Sequence, residues 1–120
     1  MKKIFVTRKL LEENENKLKK LFDVNLNKND KIYTAEEIIE KSKNFDGILS
    51  SVTDPINGDT ISKLSKSIKI IANGAVGFGN IDFKKARERG MAVTNTPDVL
   101  TDATADIQIL LLLGASRKAY

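Results

Sequence analysis

Short apolar runs alternate with helix-like patterns along the whole chain. The runs occupy residues 4–7, 23–26, 46–50, 68–72 and 91–94, and helical patterns follow each of them. Such alternation is typical of a parallel sheet covered by helices on both faces. The segment lengths suit the flavodoxin-like strand order 2-1-3-4-5. The pattern therefore predicts an α/β fold with a five-stranded parallel sheet.

Several helix boundaries carry their own signals. Residues 8–22 place leucines near one helical face and have acidic side chains before basic ones. Thr34 and Glu37 have the spacing of a capping box, which predicts a helix start there. Residues 81–89 are predicted to form a helix that ends at Gly90.

The helix predicted from Thr101 onward differs from the others. Its first turns are polar and acidic, whereas residues 107–115 are apolar on every side apart from Gln108. A helix that lies on a sheet needs only one apolar stripe, so this one is expected to be covered by more protein. We expect either another subunit, as in a homodimer formed through this helix, or a further part of the polypeptide.

The composition removes several classes of function. The chain has 120 residues, 41% of them hydrophobic and 30% charged, which fits one folded domain. It contains no cysteine and no histidine, so we expect no disulfide, no metal site and no histidine general base. Its net charge of +4 comes from lysines interleaved with glutamates, and we expect no nucleic-acid partner.

No apolar run has the length of a membrane segment. Residues 107–115 are far short of the ~20 residues that a spanning helix needs. The run at residues 4–6 is shorter than the roughly 7–15 apolar residues of a signal-peptide core. We therefore expect no membrane partner and a cytoplasmic location.

A glycine-rich turn between a strand and a helix is the main candidate for chemistry. Residues 74–79 read G-x-x-G-x-G, which is not the dinucleotide fingerprint G-x-G-x-x-G, and no acidic residue ends the next strand. One interpretation is a turn required only for backbone geometry. The other is an anion cradle, in which the N–H groups of Val76 and Gly77 hold a carboxylate or phosphate at the carboxyl edge of the sheet.

The residues that follow the predicted strands do not match the motifs of other α/β families. A phosphorelay receiver needs an acidic pair after the first strand and an aspartate after the third, where Thr7-Arg8 and Ser50-Ser51 stand. A flavodoxin needs a glycine-containing phosphate loop after the first strand, and residues 8–11 contain none. A P-loop motif is also absent from the sequence.

Residues 69–118 resemble the D-isomer-specific 2-hydroxyacid dehydrogenases. The stretch from Ile70 to Asp82 is similar to that family's "IANYGVGxDNID" turn. "TPDVLTDATAD", at residues 96–106, is most similar to the glyoxylate reductase (hydroxypyruvate reductase) branch. The earlier strands fit more loosely, so the resemblance extends over the whole chain.

This resemblance implies part of a two-domain, NAD- or NADP-dependent enzyme. Residues 1–100 would form the flavodoxin-like, substrate-side domain, and residues 101–120 an interdomain helix leading to a missing nucleotide-binding domain. Val76 and Gly77 would hold the carboxylate of a 2-oxoacid or 2-hydroxyacid, the loop around Val52 would line the substrate pocket, and Thr104 would approach the nicotinamide.

The family's catalytic arginine, glutamate and histidine have no counterparts here. Arg87, Arg89 and Arg117 do not match the arginine motif, so the resemblance implies no catalytic residue in this chain and no activity for it alone. The implied full-length reaction is reduction of glyoxylate or hydroxypyruvate to glycolate or D-glycerate. The alternatives are a fragment of a D-3-phosphoglycerate dehydrogenase and a non-catalytic module that binds small anions.

The glycine turn departs from the family pattern at Gly79. The family usually has aspartate at this position, and an aspartate side chain could hydrogen-bond within the turn and stiffen it. Gly74 also occupies a position that is often filled by a larger residue. We expect a more flexible cradle or an altered substrate.

Overall fold

The structure is a computed structural model that describes residues 1–119. Within that range five strands alternate with five helices, and all strand pairs are parallel in the order β2-β1-β3-β4-β5. The predicted α/β class and strand order are therefore confirmed. The elements are β1 (Lys3–Val6), α1 (Glu12–Leu21), β2 (Asp23–Asn25), α2 (Ala35–Lys41), β3 (Gly47–Ser50), α3 (Gly58–Lys63), β4 (Ile70–Asn73), α4 (Phe83–Glu88), β5 (Ala92–Thr94) and α5 (Thr101–Arg117).

The main core lies on one face of the sheet. The strand register places Phe5, Ile48, Ile71 and Val93 in one row across β1, β3, β4 and β5. This row packs against buried side chains of α2, α3 and α4, namely Ile38, Ile61 and Ala86. Helices α2, α3 and α4 therefore cover one face and hold the strands in register.

The opposite face is covered less completely. Ile4, Leu49, Ile70 and Ala72 are half-buried there, with Leu18 of α1 and Phe22, the residue after α1, beside them. A largely apolar cavity of about 410 Å³ lies between these side chains. Gly47 allows the close packing of this face, since a Cβ at its position would lie 2.8 Å from Cγ2 of Ile70.

Most predicted boundaries hold, but α1 and β4 begin later than predicted. The Thr34–Glu37 capping box is formed, and Gly90 has a φ of 72° at the end of α4. Helix α1 begins at Glu12 rather than at residue 8, since Leu11 has an extended backbone (φ −62°, ψ 141°); ahead of it the main-chain N–H of Lys9 donates to the Asp30 carboxylate. The fourth strand begins later than predicted, because the N–H of Ile68 donates to Ser65 in a turn.

Helix α5 forms as predicted and packs on neither face of the sheet. Its apolar side chains remain exposed, from 54% for Ile107 to 65% for Leu111. That another subunit or a further part of the polypeptide covers this helix stays a prediction. Tyr120, the end of the predicted interdomain segment 101–120, lies outside the described residues. No helix within residues 1–119 is long and apolar enough to cross a membrane.

Candidate functional site

Two loops meet at the carboxyl edge of the sheet. One follows β3 and contains residues 51–55; the other is the glycine turn after β4, residues 74–80. Because β3 and β4 are neighbouring parallel strands, both loops emerge side by side. They are also joined where Ile56 pairs with Ile81 in an isolated parallel bridge. The predicted position of the glycine turn is therefore confirmed.

The two predicted carboxylate donors are free within the glycine turn. The main-chain N–H groups of Val76 and Gly77 donate no hydrogen bond to any residue in 1–119. Val76 is half-buried and Gly77 is exposed. Consecutive unpaired amides at a sheet edge are suited to one bound carboxylate, since each can donate to an oxygen of the same anion.

The carbonyl groups in the same peptide units as these two amides each accept a hydrogen bond. The main-chain N–H of Thr96 donates to the Ala75 oxygen at 2.9 Å. The side chain of Asn95 donates from Nδ2 to the Val76 oxygen at 2.8 Å. Both donors belong to the connection between β5 and α5, so this connection supports the turn.

Two further asparagines tie the glycine turn to the loop after β3. Asn73 donates from Nδ2 to the Gly77 oxygen at 3.0 Å and to Oδ1 of Asn80 at 3.2 Å. Asn80 in turn donates from Nδ2 to the main-chain oxygens of Ser51 and Asp54, each at 3.0 Å. The spacing of the two loops thus depends on a chain of side-chain amides.

Asp54 anchors the loop after β3 to the core of the sheet. It is fully buried, and its Oδ2 accepts hydrogen bonds from the Thr7 hydroxyl at 2.5 Å and from the Ser51 N–H at 2.7 Å. Its Oδ1 has no hydrogen-bond partner within residues 1–119. Because a buried carboxylate is stable only when it is hydrogen-bonded, these two contacts fix the loop.

Arg8 holds the same loop from its outer side. Its guanidinium donates to both carboxylate oxygens of Asp30, at 2.8 and 2.9 Å, and to the hydroxyl of Thr53 at 3.0 Å. The hydrogen bond from Asp30 raises the pKa of Arg8, and the guanidinium holds the pKa of the Asp30 carboxyl well below its usual range. These hydrogen bonds use much of the donor capacity of the Arg8 guanidinium.

The aromatic residue after the free amides closes the turn against α4. The Phe78 ring meets the ring of Phe83 edge to face, with centroids 5.5 Å apart. Both rings remain partly exposed, at 44% and 40%. This contact holds the Phe78 ring in one position relative to α4, since edge-to-face pairs stabilise a defined ring arrangement.

The structure places three of the predicted site residues on two neighbouring loops and the fourth on α5. Val52 lies at the tip of the loop after β3, where 58% of it is exposed beside the anchored Ser51 and Asp54. Val76 and Gly77 lie in the adjoining turn. Thr104 lies apart, exposed on the first turn of α5. Within residues 1–119 no three His, Cys, Asp or Glu side chains come together as metal ligands.

The sequence analysis missed the residues that support the cradle. Asn73, Asn80, Asn95 and Asp54 form the hydrogen bonds described above, and none was identified as functional. One signal was available, because Asn73 and Asn95 follow the ends of two predicted strands at the ligand-binding edge of a parallel sheet.

Comparison with known proteins gives one consistent family. Residues 4–119 match the family model "D-isomer specific 2-hydroxyacid dehydrogenase, catalytic domain". The chain is 40% identical to a glyoxylate reductase of Korarchaeum cryptofilum over 97% of its own length and 35% of that protein's. It is 35% identical to a glycerate dehydrogenase of Hyphomicrobium methylovorum over 98% of its own length and 37% of that protein's.

A solved structure from Polaromonas, described as an NAD-binding, D-isomer specific 2-hydroxyacid dehydrogenase, has the same fold. It superposes with a TM-score of 0.87 at 35% identity, over 96% of this chain and 36% of that one. The chain spans about a third of the length of the relatives that it matches. Because the family model covers nearly all of the sequence, this chain belongs to the D-isomer specific 2-hydroxyacid dehydrogenase family and matches its catalytic domain.

Proposed function

We propose that this chain is the substrate-side domain of an NAD- or NADP-dependent enzyme that reduces glyoxylate or hydroxypyruvate to glycolate or D-glycerate. The observation that carries the proposal is the pair of free N–H groups at Val76 and Gly77, whose peptide carbonyls are bound by Thr96 and Asn95. Donors that are already oriented bind an anion without first reorganising. The names of the relatives support the substrate class.

In this proposal the chain's own residues bind and orient the substrate. The amides of Val76 and Gly77 receive the carboxylate, while Val52 lines the pocket and restricts water beside the reacting carbon. The bound nicotinamide would supply hydride. Thr104 is the residue assigned to approach it, and the described residues contain no glycine fingerprint for its pyrophosphate.

The relatives' names favour a small substrate without a phosphate group, since these relatives are a glyoxylate reductase and a glycerate dehydrogenase. At the carboxyl edge, Arg8 is engaged by the carboxylate of Asp30 and by Thr53. The D-3-phosphoglycerate dehydrogenase alternative would depend on basic side chains outside this chain. We therefore retain the glyoxylate reductase interpretation.

We also propose that α5 joins this domain to a nucleotide-binding domain and contributes to a homodimer. Residues 1–100 would then be the substrate-side domain, and residues 101–120 the interdomain segment. The support is physical: Ile109, Leu110 and Leu112 are 57%, 62% and 64% exposed, and apolar surface of this extent marks a contact surface.

The proposed function is tested with a chimera. A homologous nucleotide-binding domain and its C-terminal segment are joined after Arg117, and reduction of glyoxylate and hydroxypyruvate is measured with NADH and with NADPH. We expect turnover by the chimera and none by the 120-residue chain, which has no histidine to deliver a proton. Turnover by the 120-residue chain would refute the assignment of the chemistry to the added domain.

A module that only binds small anions remains the second candidate. It is favoured by the same free amides, which need no catalytic partner to hold a carboxylate. A chimera that binds both nicotinamide and glyoxylate but shows no turnover would support this candidate over the enzyme.

A further inference from the structure

We infer that Asn95 is a positioning residue for the carboxylate site, and that its side chain aims the N–H group of Gly77. The identity of the ligand rests on the proposed function, whereas the aim of the N–H group rests on geometry alone. Asn95 contacts the turn through one hydrogen bond, from Nδ2 to the Val76 oxygen at 2.8 Å.

Because the peptide bond is planar, the hydrogen bond to the Val76 carbonyl also sets the direction of the Gly77 N–H group. The Val76 carbonyl and the Gly77 N–H belong to the same trans peptide unit, in which the C=O and N–H bonds point in opposite directions. A carbonyl held toward Asn95 therefore turns the Gly77 N–H away from Asn95. The hydrogen bond also polarises the peptide, which strengthens the donor at its other end.

Gly77 needs such an external constraint. It has no side chain, and a Cβ built at its position would meet no atom within 4 Å. Glycine also has the widest range of backbone torsions, so sterics leave this peptide free to rotate. The hydrogen bond from Asn95 to the Val76 carbonyl orients it, while the bond from Asn73 to the Gly77 carbonyl acts on the next peptide unit.

The Val76 N–H is oriented by a different kind of contact. Its peptide unit includes the Ala75 carbonyl, which accepts from the main-chain N–H of Thr96 at 2.9 Å. A change of side chain at position 96 leaves that bond in place. The two carboxylate donors thus have separate supports, one from a side chain and one from the main chain, and substitution can separate them.

The test uses the 120-residue chain labelled with ¹⁵N and titrated with glyoxylate. In the unsubstituted chain we expect the amide protons of Val76 and Gly77 to move downfield together as the carboxylate binds. In Asn95→Ala the response of Gly77 should be lost and that of Val76 kept. The dissociation constant should rise about tenfold, as expected when one of two charge-assisted hydrogen bonds is removed.

Two further variants separate positioning from a general effect on folding. Asn95→Asp keeps the shape of the side chain but cannot donate when ionised, so it should lose the Gly77 response as Asn95→Ala does. Thr96→Ala is the matched control, because it removes an exposed side chain and keeps the main-chain donor. It should behave like the unsubstituted chain, with all variants melting cooperatively.

The outcomes distinguish this inference from the proposed function. Unchanged Gly77 responses in both Asn95 variants would overturn the inference, as would loss of both amide responses in Asn95→Asp. If the unsubstituted chain shows no response at either amide, the proposed carboxylate site fails. In that case the spectra recorded without ligand test the role of Asn95. In Asn95→Asp, a shifted Gly77 amide resonance together with an unshifted Val76 amide resonance supports the positioning role. An unshifted Gly77 amide resonance overturns it.

Discussion

The hydroxyl of Thr7, the residue after β1, donates a 2.5 Å hydrogen bond to the buried carboxylate of Asp54. This bond links the first strand to the loop that carries Val52, across 47 residues of sequence. The same carboxylate oxygen accepts from the Ser51 N–H at 2.7 Å. One buried side chain thus connects the sheet core to the substrate-side loop.

Asp54→Ala should therefore destabilise the domain. It leaves the half-buried Ser51 N–H without its acceptor and removes the partner of the buried Thr7 hydroxyl, which costs about 1–3 kcal/mol of unfolding free energy. Urea denaturation measures the change. Asp59→Asn is the control, because that carboxylate is 73% exposed in a surface pair and its loss should cost at most about 0.5 kcal/mol. Equal stabilities for the two variants would contradict the anchoring role.

The pair between Arg8 and Asp30 predicts a specific dependence on pH. Because pairing with Arg8 depresses the pKa of the Asp30 carboxyl in the folded state, its stabilisation is complete above the unfolded-state pKa near 4. It is lost progressively as the pH falls below that value toward the folded-state pKa. Thermal melts of the unsubstituted chain and of Asp30→Asn should therefore differ at pH 7 and converge toward pH 2.

Asparagine is the appropriate replacement at this position. Asp30 has a φ of 51°, and asparagine tolerates this left-handed conformation better than most residues do. The substitution thus removes the charge with little added backbone strain. A difference in melting temperature that stays constant from pH 7 to pH 2 would show that the carboxylate charge contributes nothing.

The fold was largely predictable because its signals are local. The apolar runs that become β1, β3 and β4 alternate with segments that carry capping residues, and Gly90 marks a helix end through its own torsion. The errors concern where elements begin. Residues 8–11 stay outside α1, and there Arg8 and the Lys9 N–H bind Asp30, a contact between segments about twenty residues apart that no local pattern indicates.

Only the main-chain part of the candidate site could be predicted from the sequence. A glycine-rich turn after a buried strand indicates where amides gather, and Val76 and Gly77 lie there. The supporting contacts depend on which strands are neighbours, so the bond between Asn95 and Val76, 19 residues apart, required the pairing of β4 with β5. That the loop carrying Val52 adjoins the glycine turn likewise required the pairing of β3 with β4.

Two glycines should respond in opposite ways to substitution. Gly79→Asp introduces a Cβ into open space, so the stability of this variant should stay within about 0.5 kcal/mol of the original or rise slightly. Gly47→Ala places a Cβ 2.8 Å from Cγ2 of Ile70 and 3.1 Å from Cδ1 of Ile4, and should cost about 1–3 kcal/mol. Urea denaturation of both variants checks this contrast.

The same Gly79→Asp change tests the condition of the cradle in the chimera. If a flexible turn limits carboxylate binding, the aspartate should lower KM for glyoxylate by stiffening residues 74–80. An inactive chimera that gains activity with aspartate at this position would show that the turn had lost function. An unchanged KM would show that the existing hydrogen bonds from Asn73 and Asn95 already fix the turn.

The last prediction concerns the exposed face of α5. Leu110 and Leu112 are 62% and 64% exposed, so replacing both by glutamate should leave the stability of the domain almost unchanged, since the charges stay in water. The same change should abolish self-association through the helix, which sedimentation velocity measures over a range of concentrations. Gln108→Glu is the matched control, because it adds negative charge on α5 without removing apolar surface. If Leu110→Glu with Leu112→Glu unfolds the domain, the helix packs against the core in solution. If it folds and associates as before, a surface other than α5 forms the dimer.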